Sequence, residues 1–283
     1  MFKYFSQKEF SLKQLAVGRS VYLHKILILF VALSCFIFSS TKSLASGPMA
    51  KSIPTLSERT ANMVKIPDGN FLSGCSKFGQ QNGRSTRRVY LDSFWIDRYE
   101  VTNKEYEAFE PQHKRSRWSK GDNHSITRVS WFKAKEYCLS LKKDLPSEAQ
   151  WEKAAGAEDE CSYPWGRESF NNIDGQRQAH GGLSLYDGAS EIGQYSPNKY
   201  GLYDMAGNVW EWVNDWMDFG WGKDNSVNKI LINPTGPARG HKKVRRGGSW
   251  SDDIKALSSG WRDWTAPYAR YFSDIGFRCV YNP

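Results

Sequence analysis

Apolar positions change period several times between residues 63 and 156, and each change marks an element. Met63–Ile66, Asn70–Leu72 and Arg88–Ile96 are short apolar-rich stretches bounded by Gly, Pro and Asp, which predicts strands. Thr102-Asn-Lys-Glu105 then forms a capping box, in which Thr102 and Glu105 satisfy each other's orphan amides, and Tyr106 and Phe109 supply the apolar face of the helix behind it. Ser130 caps a second helix, with Trp131, Ala134, Cys138 and Leu141 at helical spacing, so Cys138 falls on the buried face. Ser147-Glu-Ala-Gln150 opens a third helix, which runs to about Ala155 and ends at Gly156. Beyond Gly156 the chain is rich in Gly and Trp with little periodicity. Its backbone groups must be satisfied by something other than long regular ladders.

The N-terminal pattern is different. Residues 26–38 form one apolar run of 13, preceded by basic residues and followed by small polar ones. Ser43-Leu44-Ala45 has the small-x-small form that precedes a cut, with Ser46 as the new first residue. This predicts a secretory signal over residues 1–45. The run is shorter than the roughly 20 residues a span needs, although the long basic lead leaves a retained anchor as the alternative. Cys35 makes a poor lipidation site, because Phe36, Ile37 and Phe38 continue the apolar run behind it. Either way, the expected location is periplasmic or secreted. Residues 46–62 are polar with two prolines and read as a linker, and residues 63–283 read as one domain.

Charge and composition narrow the function classes. The 283 residues are 40% hydrophobic and 24% charged, which excludes a multi-span membrane protein and a wholly disordered chain. Aromatics reach 14%, enough to wall a groove as well as fill a core. The net charge of +9 suggests nucleic acid only until it is divided. Residues 1–45 carry six basic side chains against one acidic, and the remainder carries 33 against 29. No basic stripe is left, so a nucleic-acid partner is not expected. Export would remove Cys35 and leave Cys75, Cys138, Cys161 and Cys279, an even number suited to disulfides. CxxC and HExxH spacings are absent, which argues against zinc, and P-loop, dinucleotide-binding and GxSxG motifs are absent as well.

The segment Gly201–Trp212 holds Asp204, Gly207, Asn208 and Glu211 within eight residues. Two carboxylates plus carbonyls freed by an irregular turn suit a hard cation such as calcium. The same residues equally describe a capped turn with a buried Glu paired to an Arg.

Eight pieces in order carry a resemblance. They are Met63-Val-x-Ile-Pro-x-Gly-x-Phe71, Phe94-Trp-Ile-Asp97-Arg-Tyr-Glu100-Val-Thr-Asn103, Val129-Ser-Trp131 with Tyr137-Cys138, and Leu145-Pro-Ser-Glu148-Ala-Gln-Trp151-Glu152. Tyr163-Pro-Trp165-Gly166, the Gly201–Trp212 block, Arg246-Gly-Gly-Ser-Trp250 and Ile275-Gly-Phe-Arg-Cys279 follow. Across residues 63–280 the chain resembles the formylglycine-generating enzyme, or sulfatase-modifying factor, family. The resemblance implies an α+β variant of the C-type lectin fold, low in regular structure and stabilised by calcium. It implies one calcium site at Asp204, Gly207, Val209 and Glu211, with backbone oxygens from Gly207 and Val209. A second would lie at Asn172, Ile173, Asp187 and Ala189. It also implies a Cys138–Cys279 disulfide. The family's second bridge would fall near Ala155 and Thr265 and is not reproduced, so Cys75 and Cys161 are left over.

The same resemblance isolates what is missing. The family oxidises a substrate cysteine with oxygen, using two cysteines after Gly-Gly-Ser to bind copper(I). The matching positions here are Asp252 and Leu257. A carboxylate and an alkyl chain do not replace two soft thiolates, so copper is not expected, nor is the family's oxidation. The iron-dependent sulfoxide-forming relatives draw iron histidines from an additional helical domain, for which there is no counterpart here. A groove is expected from Trp210, Ser249, Trp250, Asp252, Trp261 and Trp264, with Ser251, Asp263 and Tyr268 nearby in sequence. Asp252, Asp253 and Arg262 are the candidates for acid–base or ligand-holding work. The competing reading places the Trp residues in the core and the charges on a solvated rim. Three functions are therefore in play. One is a copper-free periplasmic maturation factor acting on an unidentified small molecule or protein, similar to family members that mature a pyoverdine chromophore. The others are a non-catalytic binding module on the lectin-like scaffold, like retroelement-diversified relatives, and a scaffold with no activity. The membrane enters only through the uncleaved anchor.

Overall fold

A computed structural model describes residues 60–75, 84–156, 162–166, 178–182, 188–219 and 229–283. The chain divides into two units, residues 1–51 and Ser52–Pro283, and all described residues belong to the second. The expected signal, its cleavage point and Cys161 lie outside the described residues.

Three small sheets organise the described residues. The first orders β1 (Met63–Ile66), β4 (Phe94–Asp97) and β10 (Val280–Tyr281), so the two ends of the domain meet on one central strand. The second orders β2 (Gly69–Cys75), β3 (Arg84–Leu91) and β6 (Leu231–Ile232). The third orders β8 (Arg262–Thr265), β7 (Lys243–Arg246), β5 (Trp210–Trp216) and β9 (Ile275–Gly276), with β5 parallel to β9 and antiparallel to β7. The strand expected over Arg88–Ile96 is two strands. Asn233 supplies the reason: its carbonyl oxygen accepts the Asp92 N–H at 2.9 Å and its amide donates to the Asp92 carboxylate at 2.8 Å, fixing the break between β3 and β4.

All three helices start where the capping residues place them. They are α1 (Asn103–Phe109), α2 (Trp131–Ser140) and α3 (Glu148–Ala155). Thr102 and Ser147 each complete a capping box, Ser130 accepts from the Lys133 N–H, and Gly156 ends α3 at φ 79°. Trp131 at the head of α2 donates its indole N–H to the Val213 carbonyl at 2.8 Å, and Trp212 of β5 donates to the Val129 carbonyl at 2.9 Å. This reciprocal pair ties α2 to β5 without a ladder. Two main apolar clusters result. One lies under β1, β4 and α3 around Trp151, and the other between α1, α2 and β5 around Tyr106, Trp212 and Phe277. The second contains the disulfide Cys138–Cys279, with Cα atoms 5.7 Å apart across a separation of 141 residues.

Candidate functional site

The Asp204–Glu211 turn is built on left-handed backbone. Asp204, Gly207 and Asn208 have φ of 56°, 76° and 56°. At Gly207 a Cβ would lie 2.2 Å from the His180 carbonyl oxygen, so only glycine allows that approach. The turn feeds directly into β5, where Glu211 is buried and accepts from Arg278 Nε and Nη2 and from the Trp151 indole, each at 2.8 Å. Arg278 spends its remaining donors on the carbonyls of Asp97, Arg98 and Tyr203. The buried Glu paired to an Arg, one of the two readings of this segment, is therefore present.

Two further buried carboxylates stand near that pair. Glu100 accepts from the Ser125 hydroxyl and the Asn208 amide. Burial, then the nearby Asp204 and Glu211 charges, push its carboxyl well up. Asp204 accepts the Gly193 N–H at 2.7 Å, and burial raises its carboxyl to about 6. Three acidic side chains thus face one guanidinium. Such hard oxygen donors and surplus negative charge suit calcium chemically. Among the described residues, however, no group of three or more His, Cys, Asp or Glu side chains converges to hold a metal. Glu211 in particular gives both oxygens to Arg278 and Trp151. Of the second expected calcium set, Asn172, Ile173 and Asp187 lie outside the described residues. Ala189 is buried beside Val209 and Trp250, and its N–H donates to the Trp118 carbonyl at 2.7 Å.

The expected groove residues separate into three groups. Trp210 and Trp250 are buried, Trp250 tilted against Trp118 with ring centroids 5.5 Å apart. Trp261 and Trp264 are half-buried at the core margin, and Trp264 meets Phe219 edge-on. Tyr268 lies elsewhere, exposed on a separate cleft. Asp253 caps the 3-10 turn Ile254–Leu257 by accepting the Lys255 N–H. Arg262 is not available to a ligand: it makes a buried bidentate pair with Glu148, 2.8 Å for each bond. Arg246 completes that network, 3.6 Å from Glu148 and 3.3 Å from Glu152. Glu148 and Glu152, one turn apart on α3, therefore bind two arginines of the third sheet, and the grouping of Asp252, Asp253 and Arg262 as one acid–base set dissolves.

What replaces it includes two residues the sequence reading passed over. Ser249 is fully buried, and both its N–H and its hydroxyl donate to Asp252 Oδ2. Its hydroxyl also lies 3.5 Å from Asp274 and 3.1 Å from the Ser251 hydroxyl. Burial raises the Asp274 carboxyl, Asp252 adds to the rise, and Arg245 opposes it. Arg245 stacks 4.6 Å over the Trp210 ring and donates to Asp263 at 2.7 Å. Its Nε and Nη1, and the indole N–H groups of Trp210 and Trp250, are buried without a protein acceptor. A carboxylate pair, two hydroxyls and a stacked guanidinium can bind a polar group and hold a proton. Asp274 and Arg245 had a signal of their own, since each stands immediately before a recognised motif.

Leu257, which the resemblance sets against the family's second copper cysteine, is buried against Ala179 and Ala206. Each described cysteine is in a disulfide. Cys138 bonds Cys279, and Cys75 is disulfide-bonded as well.

Residues 50–283 match the sulfatase-modifying factor enzyme 1-like domain. The chain is 31% identical over 254 residues to the formylglycine-generating enzyme of Thermomonospora curvata, covering 68% of this chain and 84% of that protein. It is 28% identical over 311 residues to the mouse formylglycine-generating enzyme, covering 86% and 79%. Among solved structures it resembles Treponema denticola variable protein 1 (TM-score 0.64, 23% identity, 78% of this chain and 95% of that one). It equally resembles PvdO from Pseudomonas aeruginosa (TM-score 0.64, 24% identity, 78% and 94%). The fold is α+β, the formylglycine-generating-enzyme variant of the C-type lectin fold. With a domain match over most of its length and relatives at this identity, the chain belongs to the formylglycine-generating enzyme, or sulfatase-modifying factor, family.

Proposed function

We propose that this protein is an exported maturation factor that works outside the cytoplasm on a secreted small molecule or protein, without copper-dependent cysteine oxidation. The observation that carries the reading is the chemistry of Asp252 and Leu257, the two residues that the resemblance sets against the family's thiol positions. Asp252 is bonded to Ser249, and Leu257 is sealed in the core. Neither offers the soft sulfur that copper(I) needs. In place of thiols the cluster offers proton chemistry: Asp274 keeps its proton more readily than a free carboxyl, beside Asp252 and within reach of the Ser249 hydroxyl. This suits an acid–base step in such a maturation. Calcium at the Asp204–Glu211 turn belongs to the same proposal. The Asp204 carboxylate and the carbonyls of Gly207 and Val209 would hold it, and its charge would offset the excess of Glu100, Asp204 and Glu211 over Arg278.

The test has two arms. Purified protein, supplied with copper(I), oxygen and a sulfatase-type cysteine peptide, should yield no aldehyde by mass spectrometry; aldehyde formation overturns the reading. In the producing cell, the Asp252→Asn/Asp274→Asn variant should leave an unmatured secreted product. Unchanged secreted metabolites and proteins also overturn it.

A further inference from the structure

A cleft of about 630 Å³ opens between the end of α1, the start of α2 and the turn at residues 268–270. Its size falls within the range of small-ligand sites, roughly 300–1,000 Å³. Ser249, Asp252, Asp274 and Arg245 are not among its lining residues.

Three features of the cleft point to one ligand chemistry. The first is aromatic surface left in water: Phe132 and Tyr268 on its walls are 52% and 70% exposed. The second is unpaired positive charge. Lys133 is engaged by Glu110 and Glu136, whereas among the described residues no carboxylate pairs with Arg128 or Arg270. Arg128 also sits at φ 62°, a strained conformation for a side chain branching from an L-residue, held by its N–H bond to the Phe272 carbonyl. Strain of that kind concentrates where a site needs a group aimed in one direction. The third is an orphan acceptor. His113 turns its other ring nitrogen to the Thr127 backbone, and burial favours the neutral imidazole. Its Nε2 is left buried without a hydrogen-bond partner. A neutral Nε2 in that tautomer accepts a hydrogen bond from a donor.

We infer that this cleft binds a small hydroxylated aromatic carboxylate. The ring lies between Phe132 and Tyr268, the carboxylate meets Arg128 and Arg270, and the hydroxyl donates to His113 Nε2. The inference does not depend on the chemistry proposed for the Asp252–Asp274 cluster. Calorimetric titration of the full chain with 4-hydroxybenzoate tests it, with neutral 4-hydroxybenzamide as the comparison. The acid should bind, and the amide at least about tenfold more weakly, because a charge-assisted hydrogen bond is worth about that factor. Arg128→Gly/Arg270→Gln should lose at least about tenfold in affinity with an unchanged melting temperature, since glycine accepts φ 62° without strain. No binding of the acid, equal binding of acid and amide, or full affinity in the double variant would each overturn the inference.

Discussion

Replacing Arg278 with Met isolates the largest electrostatic commitment in the fold. The guanidinium is fully buried, is the only described cation bonded to Glu211, and also caps three carbonyls. Met fills part of the volume but supplies no donor. Glu211 is then left with the Trp151 indole alone, beside Glu100 and Asp204. Removing one partner of a buried ion pair costs about 3–5 kcal/mol, and each stranded carbonyl adds up to about 1–3 kcal/mol where water cannot reach it. Protonation of one carboxyl caps the total, so we expect about 4–6 kcal/mol. Against a typical stability of about 5–15 kcal/mol, that is a large share. A domain of this size should lose about 10–20 °C in Tm, at about 2–4 °C per kcal/mol. Urea unfolding followed by tryptophan fluorescence measures the loss. Arg278→Met/Glu211→Gln should recover part of it, because the uncompensated charge is gone. A single-variant loss below about 1 kcal/mol would show that the pair is solvated and that this account of the core is wrong.

Two further outcomes follow from the same packing. Chelation with EGTA should lower Tm clearly if calcium offsets the carboxylates of the Asp204–Glu211 turn, and an unchanged Tm rules calcium out. Lys243 packs its ammonium 3.8 Å from the rings of both Trp131 and Trp216 and donates to the Asn214 carbonyl, and burial lowers its pKa to about 8. The folded state therefore gives up this proton before the unfolded state does, whose lysine titrates near 10.5. Stability relative to Lys243→Met should rise between pH 8 and 10.5 and stay flat below that window; a stability difference that does not change with pH contradicts the placement.

The helices were legible because their signals are local. Thr102, Ser130 and Ser147 each reach an amide three residues away, so one short segment contains both partners. The strand break at Asp92 was not legible, because Asn233, 141 residues onward, makes it. Arg262 looked like a ligand-facing cation for the same reason: its carboxylate, Glu148, stands 114 residues earlier. That positions 252 and 257 carry Asp and Leu could be read directly, since a side chain's identity is sequence information, whereas the burial of Leu257 and the Ser249–Asp252 contact needed the fold. Asp274 and Arg245 escaped attention beside familiar motifs, because nothing in the residue order announces that a guanidinium stacks on Trp210 or that an Asp approaches Ser249.

By itself, then, the order of residues settled family, helix starts and which chemical groups exist at each position. Those properties depend on residue type and on bonds spanning a few residues. Pairing of the buried charges, the division of Trp residues between core and margin, and the cleft beside His113 were decided only in three dimensions. Desolvation and ion pairing act through space, and here they join segments more than a hundred residues apart.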